Sequence, residues 1–148
     1  MDFRTVSILV WQKKAYIPET AFYGSGIIAL VEPVHIVELS LEPLVAAVRE
    51  ARDAVHERLP TPTAEEARKR KDPVLKYTGA KSLKELAKTG AGYSIDWTPT
   101  EIRIDMSRLD KKGRFETDSE KTRIFPPDTP LETLVTVVLD DVRSRSLS

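Results

Sequence analysis

Apolar and polar residues recur along this chain at two different periods, and each change of period marks the boundary of an element. Thr5 to Trp11 (TVSILVW) is rich in β-branched and aromatic residues and predicts a strand, with Gln12-Lys13-Lys14 turning it into a second strand at Ala15-Tyr16-Ile17. Pro18 is expected to limit that second strand or to place it at an edge, because proline has no amide to donate to a ladder. The stretch ETAFYGSG carries turn residues and two aromatics, Phe22 and Tyr23. Residues 27–31 and 34–39 then read as one or two extended pieces broken at Glu32-Pro33.

The period lengthens at Ser40. Leu41, Leu44, Val45, Val48, Val55 and Leu59 recur at three- and four-residue spacing with Ala51 between them, which predicts one long helix over 40–59. Ser40 is its expected N-cap, and Pro60 and Pro62 end it. Ser82-x-x-Glu85 is the capping box of a short helix, SLKELAK, with Gly90 expected in the left-handed position that closes it. Strict alternation follows: Tyr93, Ile95 and Trp97 point one way and Ser94, Asp96 and Thr98 the other, and Ile102, Ile104 and Met106 repeat the pattern after Thr98-Pro99-Thr100. That is a hairpin with one apolar face. Lys112-Gly113 marks a further turn before an extended piece at 121–125. Thr129-Pro130-Leu131-Glu132, an expected N-cap, a proline at N1 and a capping-box glutamate, opens a last helix, whose inner face is Leu131, Leu134, Val135, Val138 and Val142. The whole reads as one α+β domain over 1–148, an antiparallel or mixed sheet packed with two main helices and one short helix.

One segment stands outside this pattern. Residues 61–72 (TPTAEEARKRKD) contain no large apolar side chain, so residues 61–76 are expected to form an exposed charged arm, with Thr63-x-x-Glu66 able to cap a short helix on it. The segment also breaks an even charge balance. The chain has 23 basic and 23 acidic residues, so no net field favours nucleic acid or an anionic membrane, yet residues 65–88 hold eight basic residues against four acidic ones. Without cysteine the chain has no disulfide, no thiolate metal site and no cysteine nucleophile. The apolar run at its N-terminus is too short to span a bilayer, and a cytoplasmic location is the default expectation.

Candidate chemistry changes the picture little. Thr89-Gly90-Ala91-Gly92 has the look of a phosphate loop, but such a loop runs from strand to helix so that amides at a helix N-terminus meet the anion. Here the order is helix, glycines, strand, and the segment reads as a helix end. His35 and His56, the only histidines, lack a zinc spacing even with Glu32 or Glu38 as partners. No serine nucleophile motif is present. Asp96 and Asp105 beside Arg103 read as cross-strand charge pairing rather than as an acid/base couple. No catalytic residue, metal or cofactor is assigned. The Ala67 to Lys71 run (ARKRK) could contact phosphates, but without interleaved aromatics it reads as a solvated arm.

The second half of the chain is similar to a known family. KSLKELAKTGAGYSIDW, an isoleucine hairpin, an acidic insert and TRIFPPDTPLETLVTVVLDDVRSR together resemble the immunity proteins of contact-dependent growth inhibition systems. The likeness rests on Lys81-Ser82-Leu83-Lys84 with Lys88, on Ile102 and Ile104, and on Pro127-Asp128-Thr129-Pro130-Leu131-Glu132. It covers residues 80–145 in pattern and the rest in outline. The resemblance implies a non-enzymatic protein that binds the C-terminal toxin domain of a large effector, often a nuclease, and neutralises it inside the cell. On that reading the expected contacts are Phe22 and Tyr23 as aromatic anchors, and Glu116, Asp118 and Glu120 as an acidic complement to a basic toxin, with a sheet edge as a further docking line. The rival is a small nucleic-acid-binding protein using the basic arm Arg68 to Lys71, which the diluted charge disfavours.

Overall fold

The computed structural model of the chain describes residues 3–147. Seven strands form one antiparallel sheet: β1 (Arg4–Trp11), β2 (Lys14–Phe22), β3 (Ile28–Glu38), β4 (Ala91–Trp97), β5 (Ile102–Leu109), β6 (Phe115–Thr117) and β7 (Arg123–Phe125). Their order is β3-β2-β1-β4-β5-β6, and β7 shares the outer side of β5 with β6, beside Ile102 to Ile104 where β6 runs beside Ser107 to Leu109. The helices are α1 (Leu41–Asp53), α2 (Ala64–Lys69), α3 (Pro73–Thr78), α4 (Leu83–Thr89) and α5 (Leu131–Ser144), with a 3-10 turn at Ser119–Lys121. The α+β architecture read from the sequence is the one observed, with α1 and α5 as the two main helices and α4 as the expected short one. The two further short helices correct the expected arm over 61–76: α2 buries no side chain, as expected, but α3 begins inside that range and packs Val74 into a second core cluster.

Alternation along the strands decides which face carries the main core. Val6, Ile8 and Val10 of β1, Tyr93 and Ile95 of β4, and Ile102, Ile104 and Met106 of β5 project to one face and pack against Leu44 and Val48 of α1 and Leu134, Val135, Val138 and Val142 of α5. The opposite face carries Leu9, Trp11 and Tyr16, covered at one end of the sheet by Val74 of α3 and Leu86 of α4. Both faces are therefore capped, the second only in part.

Several local expectations are corrected. Helix α1 stops at Asp53, six residues short of the predicted end; Ala54 turns extended, and residues 55–59 continue outside the helix. Val55 is 85% exposed rather than part of a buried stripe. This course is rewarded: Leu59 N donates to Phe22 O and Gly24 N to Leu59 O, both at 2.9 Å, adding a parallel bridge at the end of β2. Leu59 also precedes Pro60, which disfavours helical backbone there. Ser40 makes no side-chain cap, and Thr129 Oγ1 donates to Pro126 O instead of capping α5. Pro18 does not end β2, because two extra residues of β3, Glu32 and Pro33, interrupt the ladder opposite Pro18 and Glu19 and let pairing resume as Glu19↔Val31. Gly90 is extended, at φ −118°, and not left-handed. Its glycine is required for space, since a Cβ there would sit 2.5 Å from Val10 O and 2.7 Å from Leu86 O.

Candidate functional site

The residues expected to meet a partner lie at two diagonally opposite corners of the sheet. Phe22 ends β2, and its ring meets the edge of Phe3 at 6.3 Å. Tyr23 follows, with the Arg70 guanidinium 5.4 Å over its ring and also hydrogen-bonded to its hydroxyl. Arg58 donates to the Tyr23 carbonyl at 3.1 Å. Both aromatics are half-buried, and Tyr23 already serves as an anchor for the basic segment. At the other corner, Glu116 in β6 faces Arg108 of β5 at 3.4 Å. Asp118 caps the 3-10 turn by accepting from Glu120 N at 3.2 Å, and Glu120 projects into solvent. Phe22 and the acidic trio are separated by β1, β4 and β5, roughly 20 Å across the sheet at ~4.8 Å per strand. They do not converge on one spot.

Arg68 to Lys71 does not present four equivalent cations either. Lys69 pairs with Glu65 at 3.0 Å, and Arg70 spends its guanidinium on Tyr23 and on Leu30 O at 3.1 Å. Arg68 and Lys71 are the outward charges of the run. The Leu30 contact also places a side chain against a carbonyl of β3, an outer strand of the sheet. Helix α2 holds itself with the complete capping box expected of Thr63 and Glu66, and it buries no side chain.

The two histidines meet on one carboxylate that sequence reasoning missed. Glu19, 8% exposed, receives His35 Nε2 and His56 Nε2 on its two oxygens, each at 2.8 Å, while His35 Nδ1 lies 3.3 Å from Glu50. Their partners are thus Glu19 and Glu50, not Glu32 or Glu38. Among the described residues no cluster of histidine and carboxylate side chains is arranged to hold a metal ion. The arrangement ties β2, β3 and the tail of α1 together, and it satisfies a carboxylate that burial would otherwise penalise.

The polar side of the β4–β5 hairpin is less solvated than expected. Arg103 reaches along its own strand to Asp105 at 3.1 Å, Thr122 donates to Asp105 at 2.7 Å, and Asp96 instead accepts from Thr5 Oγ1 at 2.5 Å. Burial pushes the Asp96 carboxyl above its ordinary range, the Thr5 hydrogen bond opposing and neighbouring Asp105 reinforcing the shift. This face, left open between α3, α4 and β6, forms a groove of ≈ 350 Å³ with Ser7, Ser94 and Ser107 on its floor and Leu83 and Phe115 on its walls. On the opposite face Asp141 of α5 gathers Lys121 at 2.8 Å, Tyr93 Oη at 2.7 Å and Arg145 at 2.7 Å. Burial alone would raise the Asp141 pKa, but these three donors outweigh it and hold the carboxyl below its ordinary value. The Tyr93 hydroxyl is raised in turn, first by burial and then by Asp141. Arg145 completes the tie by donating to Ser107 O at 2.6 Å.

No protein-family model matches the chain, and no curated protein matches it by sequence. The fold does have solved counterparts. A chain of the CdiA-CT/CdiI toxin and immunity complex from Yersinia pseudotuberculosis superposes with a TM-score of 0.68 at 15% identity, covering 98% of each chain. A protein of unknown function from Neisseria meningitidis superposes with a TM-score of 0.65 at 17% identity, covering 95% of this chain and 94% of the other. At these identities the likeness establishes a shared fold over nearly the whole length. Among the described residues no helix is long and apolar enough to cross a membrane.

Proposed function

We propose that the chain is an immunity protein that binds and neutralises the toxin domain of a contact-dependent growth inhibition effector. The observation that carries this reading is the end-to-end superposition, 98% of both chains, on a component of a toxin and immunity complex. The resemblance of residues 80–145 to immunity proteins supports it on separate grounds, because it rests on sequence motifs rather than on shape. Binding would be stoichiometric and non-enzymatic, with charge complementarity setting partner choice and association rate.

The acidic corner is the proposed contact with a basic nuclease. Its three acids are not equivalent probes, since Glu116 pairs with Arg108 and Asp118 caps the 3-10 turn. Reversing either charge would disturb the fold as well as the interface. Glu120 is exposed, and its carboxylate closes no contact among the described residues, so Glu120→Lys is the clean test. It should weaken toxin binding by about 0.5–1 kcal/mol, mainly through a slower and more salt-sensitive association, as expected of a charge at an interface rim. Unchanged association kinetics by surface plasmon resonance would remove this corner from the interface. The function itself is tested by co-expressing the chain with the C-terminal domain of an effector encoded immediately upstream. Growth should be restored, and continued toxicity at full expression of the chain would refute the assignment.

A further inference from the structure

We propose that the chain carries a binding site for a phosphate group, of the kind found on a small phosphorylated molecule, in the split between β1 and β2. Those strands pair only at Leu9↔Tyr16, Val10↔Ala15 and Trp11↔Lys14, although they continue to Arg4 and Phe22. Beyond Leu9 they part, and Thr20 Oγ1 reaches across to Thr5 O at 3.3 Å. The opening holds a cavity of ≈ 290 Å³, roofed by the end of α1 and the tail that follows it.

The lining is cationic on three sides. Arg4 enters from β1, Arg52 from the last turn of α1, and Arg58 and His56 from the tail, and among the described residues no carboxylate lines the cavity. Three acids lie just behind the lining and each is engaged: Asp53 accepts from Arg52 at 2.8 and 3.3 Å, Glu19 holds both histidines, and Asp96 accepts from Thr5 Oγ1. The three guanidiniums keep donors to spare. Arg58 uses one nitrogen on Tyr23 O, and Arg52 is fixed between Asp53 and the Trp97 ring, 5.6 Å beneath it. A guanidinium presents five N–H donors in a planar fork suited to oxyanions. Two influences oppose an anion: Asp53, which neutralises Arg52 through a paired contact, and the C-terminal end of α1, equivalent to about half a negative charge. Arg4 and Arg58, which close no ion pair among the described residues, supply the positive charge that outweighs the helix end. The charge count favours a divalent oxyanion over a single carboxylate. The volume exceeds that of a bare phosphate, and Phe22 and Val55 supply apolar surface for an attached organic group.

The site lies at the corner opposite the acidic trio; it shares Phe22 with the contacts expected from sequence, but its phosphate ligand is no part of the immunity reading, which stands or falls separately. The test is a ¹H–¹⁵N NMR titration of the protein with sodium phosphate at constant ionic strength, with sodium acetate as a parallel arm. Phosphate should produce saturable shifts confined to amides of residues 4–5, 20–22 and 51–58, with a Kd on the order of 1 mM, and acetate should bind at least about tenfold more weakly. The double variant Arg4→Gln/Arg58→Gln should lose the phosphate response while the rest of its spectrum stays unchanged, and the single Arg58→Gln should show an intermediate loss should the double variant fold poorly. Phosphate should also raise the thermal midpoint of the wild-type protein saturably and not that of the double variant. Linear or scattered shifts, equal binding of acetate, or an undiminished response in the variants would overturn the proposal.

Discussion

Asp141 and Asp96 are both drawn out of water, yet their surroundings push them in opposite directions. Asp141, its side chain 9% exposed, is held ionised by Lys121, Tyr93 and Arg145, so its folded-state pKa lies below the unfolded value. Its contribution to stability is present above the unfolded carboxylate pKa of about 3.9 and is lost as pH falls through the lower folded value. Asp141→Asn strips the charge from a nearly buried pair of ion pairs and should cost about 2–4 kcal/mol near neutral pH, discounted because Lys121 is itself partly solvated. Asp96 has the reverse sign, because burial raises its pKa. Folding is then favoured below the unfolded pKa and progressively penalised as pH rises through the raised folded value. Asp96→Asn, which keeps an oxygen for Thr5, should therefore be at least as stable as the parent at pH 7, with the difference vanishing below about pH 4. Urea unfolding at several pH values checks both. A neutral-pH loss of stability in Asp96→Asn would show that the carboxylate does work its burial conceals.

At the scale of elements, the junction of α4 and β4 shows how a correct motif can rest on an incomplete reason. A glycine after SLKELAK reads as a helix end, and Gly90 is one, with its amide donating to Leu86 O at 2.8 Å. What demands glycine is the approach of β4 to β1, where the Val10 and Leu86 carbonyls leave no room for a Cβ. Gly90→Ala should thus cost about 2–3 kcal/mol through displaced backbone, well above the effect of a strained turn alone, and chemical denaturation measures it directly. The strands and the cores of α1 and α5 were legible because their periods of two and about 3.6 are written in adjacent residues. The end of α1 was not. Val55 and Leu59 continue the helical spacing by chance, and the contacts that defeat it involve Glu19 and Tyr23, some 37 residues earlier in the chain. For the same reason the Glu19–His35–His56 arrangement could not be read locally. It depends on β3 pairing with β2, so that His35 lies opposite Ile17, two residues along the strand from Glu19 and on the same face.

For the molecule as a whole, the net charge of zero is resolved locally: guanidiniums gather where β1 and β2 part, whereas Glu116, Asp118 and Glu120 at β6 and the 3-10 turn are interleaved with Arg108, Arg114 and Lys121. Exposed local charges of this kind act on an approaching partner at short range even without a net field, and they make association sensitive to salt. Of the contact residues expected from sequence, the aromatic pair is half-buried and partly engaged within the chain, whereas Glu120 stands free in solvent. The acidic corner is therefore the face on which the immunity reading depends most. Isothermal titration of this chain with the C-terminal domain of an upstream-encoded effector tests that reading most directly. The account predicts a 1:1 complex whose formation abolishes toxin activity in step with occupancy; absence of binding, or binding that leaves the toxin fully active, would contradict it.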